Sequence, residues 1–236
     1  MKRDIHLMVR IALLLVAWII WFWIYRQALS TAVNLAIIIC GVLLVFPIVW
    51  LGRMILDRQP TADRAIWVTT FVHYGVGIPF GAALIRAVIT HQEWQGWTMP
   101  IPVEVGALLC VFTGVAGFMA VVNLALKGLG APFAISLSKR LAVDWMYAWT
   151  RNPMVLGALA FLVSLGIWYQ STWFVVWALF LFTPALLFFV KVYEERELEV
   201  RFGESYLEYR AKTLMFFPKW RRCERYAAKC TSLINT

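Results

Sequence analysis

The stretch that decides the fold is Pro153-Met-Val-Leu-Gly-Ala-Leu-Ala-Phe-Leu-Val-Ser-Leu-Gly-Ile-Trp168. After Tyr169-Gln-Ser it continues as Thr172-Trp-Phe-Val-Val-Trp-Ala-Leu-Phe-Leu-Phe-Thr-Pro-Ala-Leu-Leu-Phe-Phe-Val190. Neither half carries a charge. A helix of about 20 apolar residues crosses the hydrocarbon core, and it satisfies its own backbone polar groups on the way. A connection this short makes the two helices antiparallel neighbours. The pair therefore reads as a tight hairpin that returns the chain to the membrane face it left.

Four more apolar runs precede this hairpin, at residues 9–25, 32–51, 65–89 and 103–126. The expected fold is an all-α polytopic membrane bundle of about six transmembrane helices with a helical C-terminal tail. Composition agrees, with 62% hydrophobic and only 15% charged residues in 236. The run starting at Pro153 is the shortest, so its helix is expected to begin in protein-covered headgroup territory. Thirteen tryptophans suit anchoring at the headgroup level.

The net charge of +9 is not a nucleic-acid patch, because the basic residues sit between apolar runs and in the tail. Of the 22 lysines and arginines, all but Arg26 and Arg86 fall on one side of the six runs. The positive-inside rule then places both termini in the cytoplasm. Cys40 and Cys110 lie inside apolar runs. Cys223 and Cys230 lie in the basic tail without histidine or cysteine partners at metal spacing, so neither a disulfide framework nor a metal site is expected. No cleavable signal peptide and no internal repeat is evident. Residues 1–64 read as a peripheral N-terminal hairpin and 65–236 as a catalytic membrane domain.

The polar features gather at the cytoplasmic ends. The loop from Lys127 to Thr150 is long and broken by Gly128, Gly130 and Pro132. Arg151-Asn-Pro153 follows it. Asn is a favoured N-cap and Pro a favoured first helical residue, so a helix starts here with its amide groups and positive dipole end facing the loop. Arg151 adds a donor fork suited to a carboxylate or phosphate. The plain alternative is a capped helix with a snorkelling arginine. Trp145, Tyr147 and Trp149 are either an interfacial belt or an aromatic wall. Beyond the last run, Glu194 and Glu195 read as solvated charge or as partners for hydroxyl or ammonium groups. The helical pattern there ends at Gly203, a good stop signal, and a second short helix carries Tyr206 and Tyr209. His73 lies inside the third run. It is a functional candidate or a histidine bonded to a neighbouring helix.

The ordered pair of segments carries a resemblance. Tyr147-Ala-Trp-Thr-Arg-Asn-Pro-Met-Val-Leu-Gly157 resembles the first motif of the isoprenylcysteine carboxyl methyltransferases and their phospholipid methyltransferase relatives. Glu194-Glu195, Leu198, Phe202-Gly203, Tyr206 and Tyr209 look like their second motif, and Gly130-Ala-Pro-Phe133 is similar to a segment of the bacterial branch. The resemblance implies an integral-membrane methyltransferase using S-adenosyl-L-methionine on a lipophilic small molecule or lipid acceptor. It implies a cytoplasm-facing cofactor pocket made by Lys139, Arg140, Leu141, Ala142, Tyr147, Asn152, Pro153, Met154, Val155 and Glu194. Arg151 would anchor charge and Glu195 would act as base or orienting group. Two departures stand out. Val155 replaces the family's usual Tyr, and Val190 stands where the carboxyl methyltransferases carry an Arg. An NADPH-dependent sterol or enone reductase and an inactive membrane relative remain as alternatives, and a transporter is disfavoured by the lack of paired broken helices.

Overall fold

In the computed structural model 85% of the described residues are helical, and none of them is in a strand. These are residues 2–94, 99–128, 138 and 140–216. The helices are α1 (Lys2–Arg26), α2 (Thr31–Arg58), α3 (Ala62–Thr90), α4 (Val103–Gly128), α5 (Met146–Trp149), α6 (Pro153–Trp168), α7 (Thr172–Phe202) and α8 (Glu204–Lys212). Five of them are long and apolar enough to cross a membrane, and α6 is the shorter sixth. The six apolar runs thus become six helices in sequence order. Two are not uniformly wound. α4 ends in a wider π-helical turn at Leu124–Gly128, and α7 has such turns at Ala178–Phe182 and Val190–Glu194.

The core lies among α2, α3 and α7. Val42, Val45, Val49 and Leu56 of α2 are fully buried against Val72, Val76 and Phe80 of α3 and against Ala185 and Phe189 of α7. Rings interlock there, with Phe80 stacked on Phe182 at 4.4 Å and Phe46 tilted on Phe188 at 5.0 Å. Leu108, Val111, Phe112, Val115 and Phe118 of α4 are exposed, as are Ile19, Phe22 and Trp23 of α1. In water such apolar surface would be a liability; facing acyl chains it costs nothing.

The hairpin of α6 and α7 is tight only at its turn, where Gly166 meets Phe174 and Val175. The long contact of α6 is with α4. A Cβ at Gly157 would stand 2.7 Å from Gly117 Cα, and one at Gly106 would stand 2.5 Å from the Trp168 amide nitrogen. Small residues let these backbones approach, which is how helices associate where lipid removes the hydrophobic drive. Toward their other ends α6 and α7 part, and the cavity described below lies beside the segment that leads into α6 and the late part of α7.

Arg86, one of the two basic residues on the far side of the bundle, is 3% exposed. It donates to Ile24 O and Gln27 O at 3.0 Å and to Asn34 Oδ1 at 2.7 Å. The carbonyls at the end of α1 carry the negative end of that helix dipole, so the cation is satisfied without an acid.

Candidate active site

The site forms where the start of α6, the late part of α7 and α8 converge. Pro153 opens α6 as its spacing predicts. Asn152, however, makes no side-chain cap. Its Nδ2 donates to Met215 O at 3.2 Å, Thr150 Oγ1 donates to the same carbonyl at 2.9 Å, and the Arg151 amide donates to Leu214 O at 3.0 Å. The returning tail has outcompeted the helix end for these groups and is laced to the segment before α6.

On α7 the wide turn Val190–Glu194 inserts extra winding that ends at the first residue of the glutamate pair. Such turns re-aim the side chains that follow and recur at functional sites. Tyr193 and Glu197 face inward: Tyr193 Oη lies 3.0 Å from Thr69 Oγ1, and Glu197 pairs with Arg201 at 2.6 Å. Val190, Glu194, Glu195 and Leu198 face the cavity. Glu195 Oε1 lies 2.8 Å from Arg151 Nη2, with the two side chains 14% and 11% exposed. The contact is an ion pair by distance, but it is not aligned as a hydrogen bond. Glu195 Oε1 and the Arg151 donors Nε and Nη1 are all buried without a hydrogen-bond partner. Buried charged donors left open are costly, so their presence beside a cavity marks a place for an anion or water.

The cavity holds about 460 Å³ of empty space, open solvent included. Arg140, Leu141, Ala142, Tyr147, Arg151, Asn152, Glu194 and Glu195, all expected at the site from the sequence, line it together. Pro153, Met154 and Val155 do not: the helix start carries them past the rim, and Val155 is packed in the core. Lys139 and Gly130–Phe133 lie outside the described residues. Trp145 and Trp149 point outward, with Lys127 over the Trp145 ring at 5.7 Å. The aromatic wall is made instead by Tyr147 with Tyr206 and Tyr209 of α8. Tyr209 Oη donates to Tyr147 O at 2.7 Å, fastening α8 over the cavity. Burial raises all three phenols above their ordinary range, helped by Glu194 at Tyr147 and by Glu195 at Tyr206. They remain protonated donors at neutral pH.

Of the other participants, only His73 stood out in the sequence. Leu124 reaches the cavity from the π-wound end of α4, and Ser138 from the loop that follows α4, where Arg201 holds its carbonyl. Asn123 beside Leu124 is fully buried with both amide atoms unpartnered. His73 of α3 reaches Glu194 from behind, Nε2 to Oε1 3.4 Å. Periodicity finds such residues as core positions and cannot say which helix they meet. A second cavity of about 260 Å³ lies at the opposite end of the bundle, among Ile38, Ala87, Trp173 and Trp177. Its lining is apolar apart from Thr90, His91 and Ser171, and among the described residues no carboxylate, lysine or arginine lines it.

Residues 101–205 match the family model for phospholipid methyltransferases. No curated protein and no solved structure matches the chain. The matched segment takes in α4 to α7, hence Arg151 and the glutamate pair. It leaves out α1 to α3, with His73, and stops just before Tyr206.

Proposed function

From the premise that residues 101–205 form a phospholipid methyltransferase domain, of the isoprenylcysteine carboxyl methyltransferase-like membrane type, we propose an S-adenosyl-L-methionine-dependent enzyme that methylates a lipophilic acceptor. The observation that carries this reading is the open donor pair of Arg151, Nε and Nη1, buried beside a cavity that two carboxylates and three tyrosines bound. Those groups match the chemistry of the cofactor. Arg151 would hold its carboxylate, Glu194 would accept from its hydroxyls, and tyrosine faces would attract its cationic sulfur.

When bound, the cofactor supplies a methyl group on a sulfonium, which an acceptor takes by in-line displacement. The chain's own part is alignment and exclusion of water. Arg151 and Glu195 fix one another and define the charged end. Arg140, Leu141 and Ala142 continue one wall, and Tyr147, Asn152 and Glu194 the other. α8, held by Tyr209, roofs the cavity. Glu195 orients the acceptor or takes its proton. Residues 65–236 act as the catalytic domain, residues 1–64 as an accessory hairpin, and both termini face the cytoplasm.

Val190 lines the cavity fully buried, where an acidic acceptor would need a cation. An amine, thiol or hydroxyl on a lipophilic molecule suits that wall better than a carboxylate. The test is calorimetric titration of the detergent-purified protein with S-adenosylhomocysteine and, in parallel, with NADPH. Saturable binding of the first alone supports the reading. Binding of NADPH alone, or of neither, refutes it.

A further inference from the structure

His73 sits in α3, outside the segment that matches the family model, and it is one of three histidines in the chain. Its Nδ1 lies 2.9 Å from Thr69 O. A carbonyl oxygen only accepts, so Nδ1 carries a proton. In a neutral ring Nε2 then presents a lone pair. Yet Nε2 faces Glu194 Oε1 at 3.4 Å, and an ionised carboxylate also presents only lone pairs. Two acceptors do not rest against each other in a half-buried contact unless a proton lies between them.

The surroundings leave this proton to the pair. Phe189 packs edge-on against the imidazole at 5.1 Å, and Tyr193 is occupied by Thr69. Glu197, the next charge near the ring, is paired with Arg201. Arg10 of α1 is bonded to Thr70 and faces Arg201. On the cavity side Glu194 meets Tyr147, a phenol that stays protonated.

We infer that His73 and Glu194 hold a single proton between them and form one polar unit in the cavity wall, with His73 as the positioning residue for Glu194. The imidazole fixes the charge and orientation of the carboxylate that faces the cavity. α3, from outside the family-matching segment, is thereby part of the binding wall. Without His73, Glu194 would stand in the cavity wall without this partner and would be free to turn away. The consequence for cofactor binding rests on the methyltransferase reading; the shared proton does not.

Two measurements separate the two. In detergent-purified protein with 13C-labelled histidine, the ring signal absent from His73→Phe identifies His73. Its titration midpoint should move by about one pH unit or more in Glu194→Gln, as expected for loss of a neighbouring charge. An unmoved midpoint overturns the shared proton, whatever the protein binds. The second measurement is the affinity for S-adenosylhomocysteine between pH 5.5 and 8.5. His73→Phe, which keeps the ring packing on Phe189, should bind roughly tenfold more weakly. His73→Gln places an amide donor near the position of Nε2 and should retain most of the affinity while losing the pH dependence of the wild type. Wild-type affinity in His73→Phe, or an unchanged pH profile in His73→Gln, overturns the positioning role. Failure of the wild type to bind at all would sink the methyltransferase reading, and with it the positioning role, while the histidine titration still decides the proton.

Discussion

Replacing Arg151 with Met removes a guanidinium from a pair whose two side chains are only 11% and 14% exposed. Two separate losses follow. Glu195 is left as a buried carboxylate without its cation, and breaking a buried pair from one side costs about 3–5 kcal/mol. The pair is not wholly dry and not aligned as a hydrogen bond, so the low end, about 3 kcal/mol, applies here. The other loss concerns the ligand. Nε and Nη1 have no protein partner, so in the bound state they are open to the ligand's anionic group. Losing one charge-assisted bond of about 1.5–3 kcal/mol weakens binding roughly 10- to 150-fold. The double variant Arg151→Met with Glu195→Gln separates the two, since it removes the stranded charge. Thermal unfolding in detergent should show the single variant destabilised and the double variant restored to within about 1 kcal/mol of wild type. Calorimetry with S-adenosylhomocysteine should show both variants weakened alike. Wild-type affinity in the double variant would refute the anchoring role of Arg151. An undiminished melting temperature in the single variant would refute the buried pair itself.

Gly157→Val forces a side chain into the Gly117 backbone and should lower stability by about 1–3 kcal/mol, read as a fall in melting temperature. Tyr209→Phe removes the 2.7 Å bond to Tyr147 O, at a cost of about 1 kcal/mol, and should speed limited proteolysis near α8. Arg86→Leu strands the carbonyls of Ile24 and Gln27 at the far end of the bundle. It should destabilise by about 2 kcal/mol while leaving affinity for S-adenosylhomocysteine unchanged, a combination that calorimetry and melting together check. Raised phenols at Tyr147, Tyr206 and Tyr209 favour the fold while they stay protonated. Their contribution is intact below the unfolded value of about 10 and declines as pH rises from there toward the higher folded values. Ultraviolet titration should therefore place these three among the late-ionising tyrosines, in step with unfolding.

Much of the fold is legible residue by residue. Apolar runs become helices because burial in lipid and backbone hydrogen bonding are satisfied within each segment, so no knowledge of partners is needed. Pro153 starts a helix and Gly203, at φ 55°, ends one for the same local reason. The motifs likewise announced that Arg151, Tyr147, Asn152 and the Glu194-Glu195 pair belong together, and they line one cavity.

What a residue does once two helices meet is another matter. Asn152 has the chemistry of a cap, yet it serves Met215, because the tail happens to arrive there. Val155 occupies a motif position but is turned into the core, and Trp145 and Trp149 face out while Tyr147 faces in. α6 takes α4 as its main partner through Gly117 and Gly157, although its neighbour in sequence is α7. His73 and Glu194 are far apart in the chain and meet only when α3 packs on the wide turn of α7. Sequence determined the helices, their ends and the kinds of group available, since those depend on short-range sterics and transfer into lipid. Tertiary packing alone decided which donors remain open beside the cavity, since a hydrogen bond is won by whichever group the folded chain brings within 3 Å.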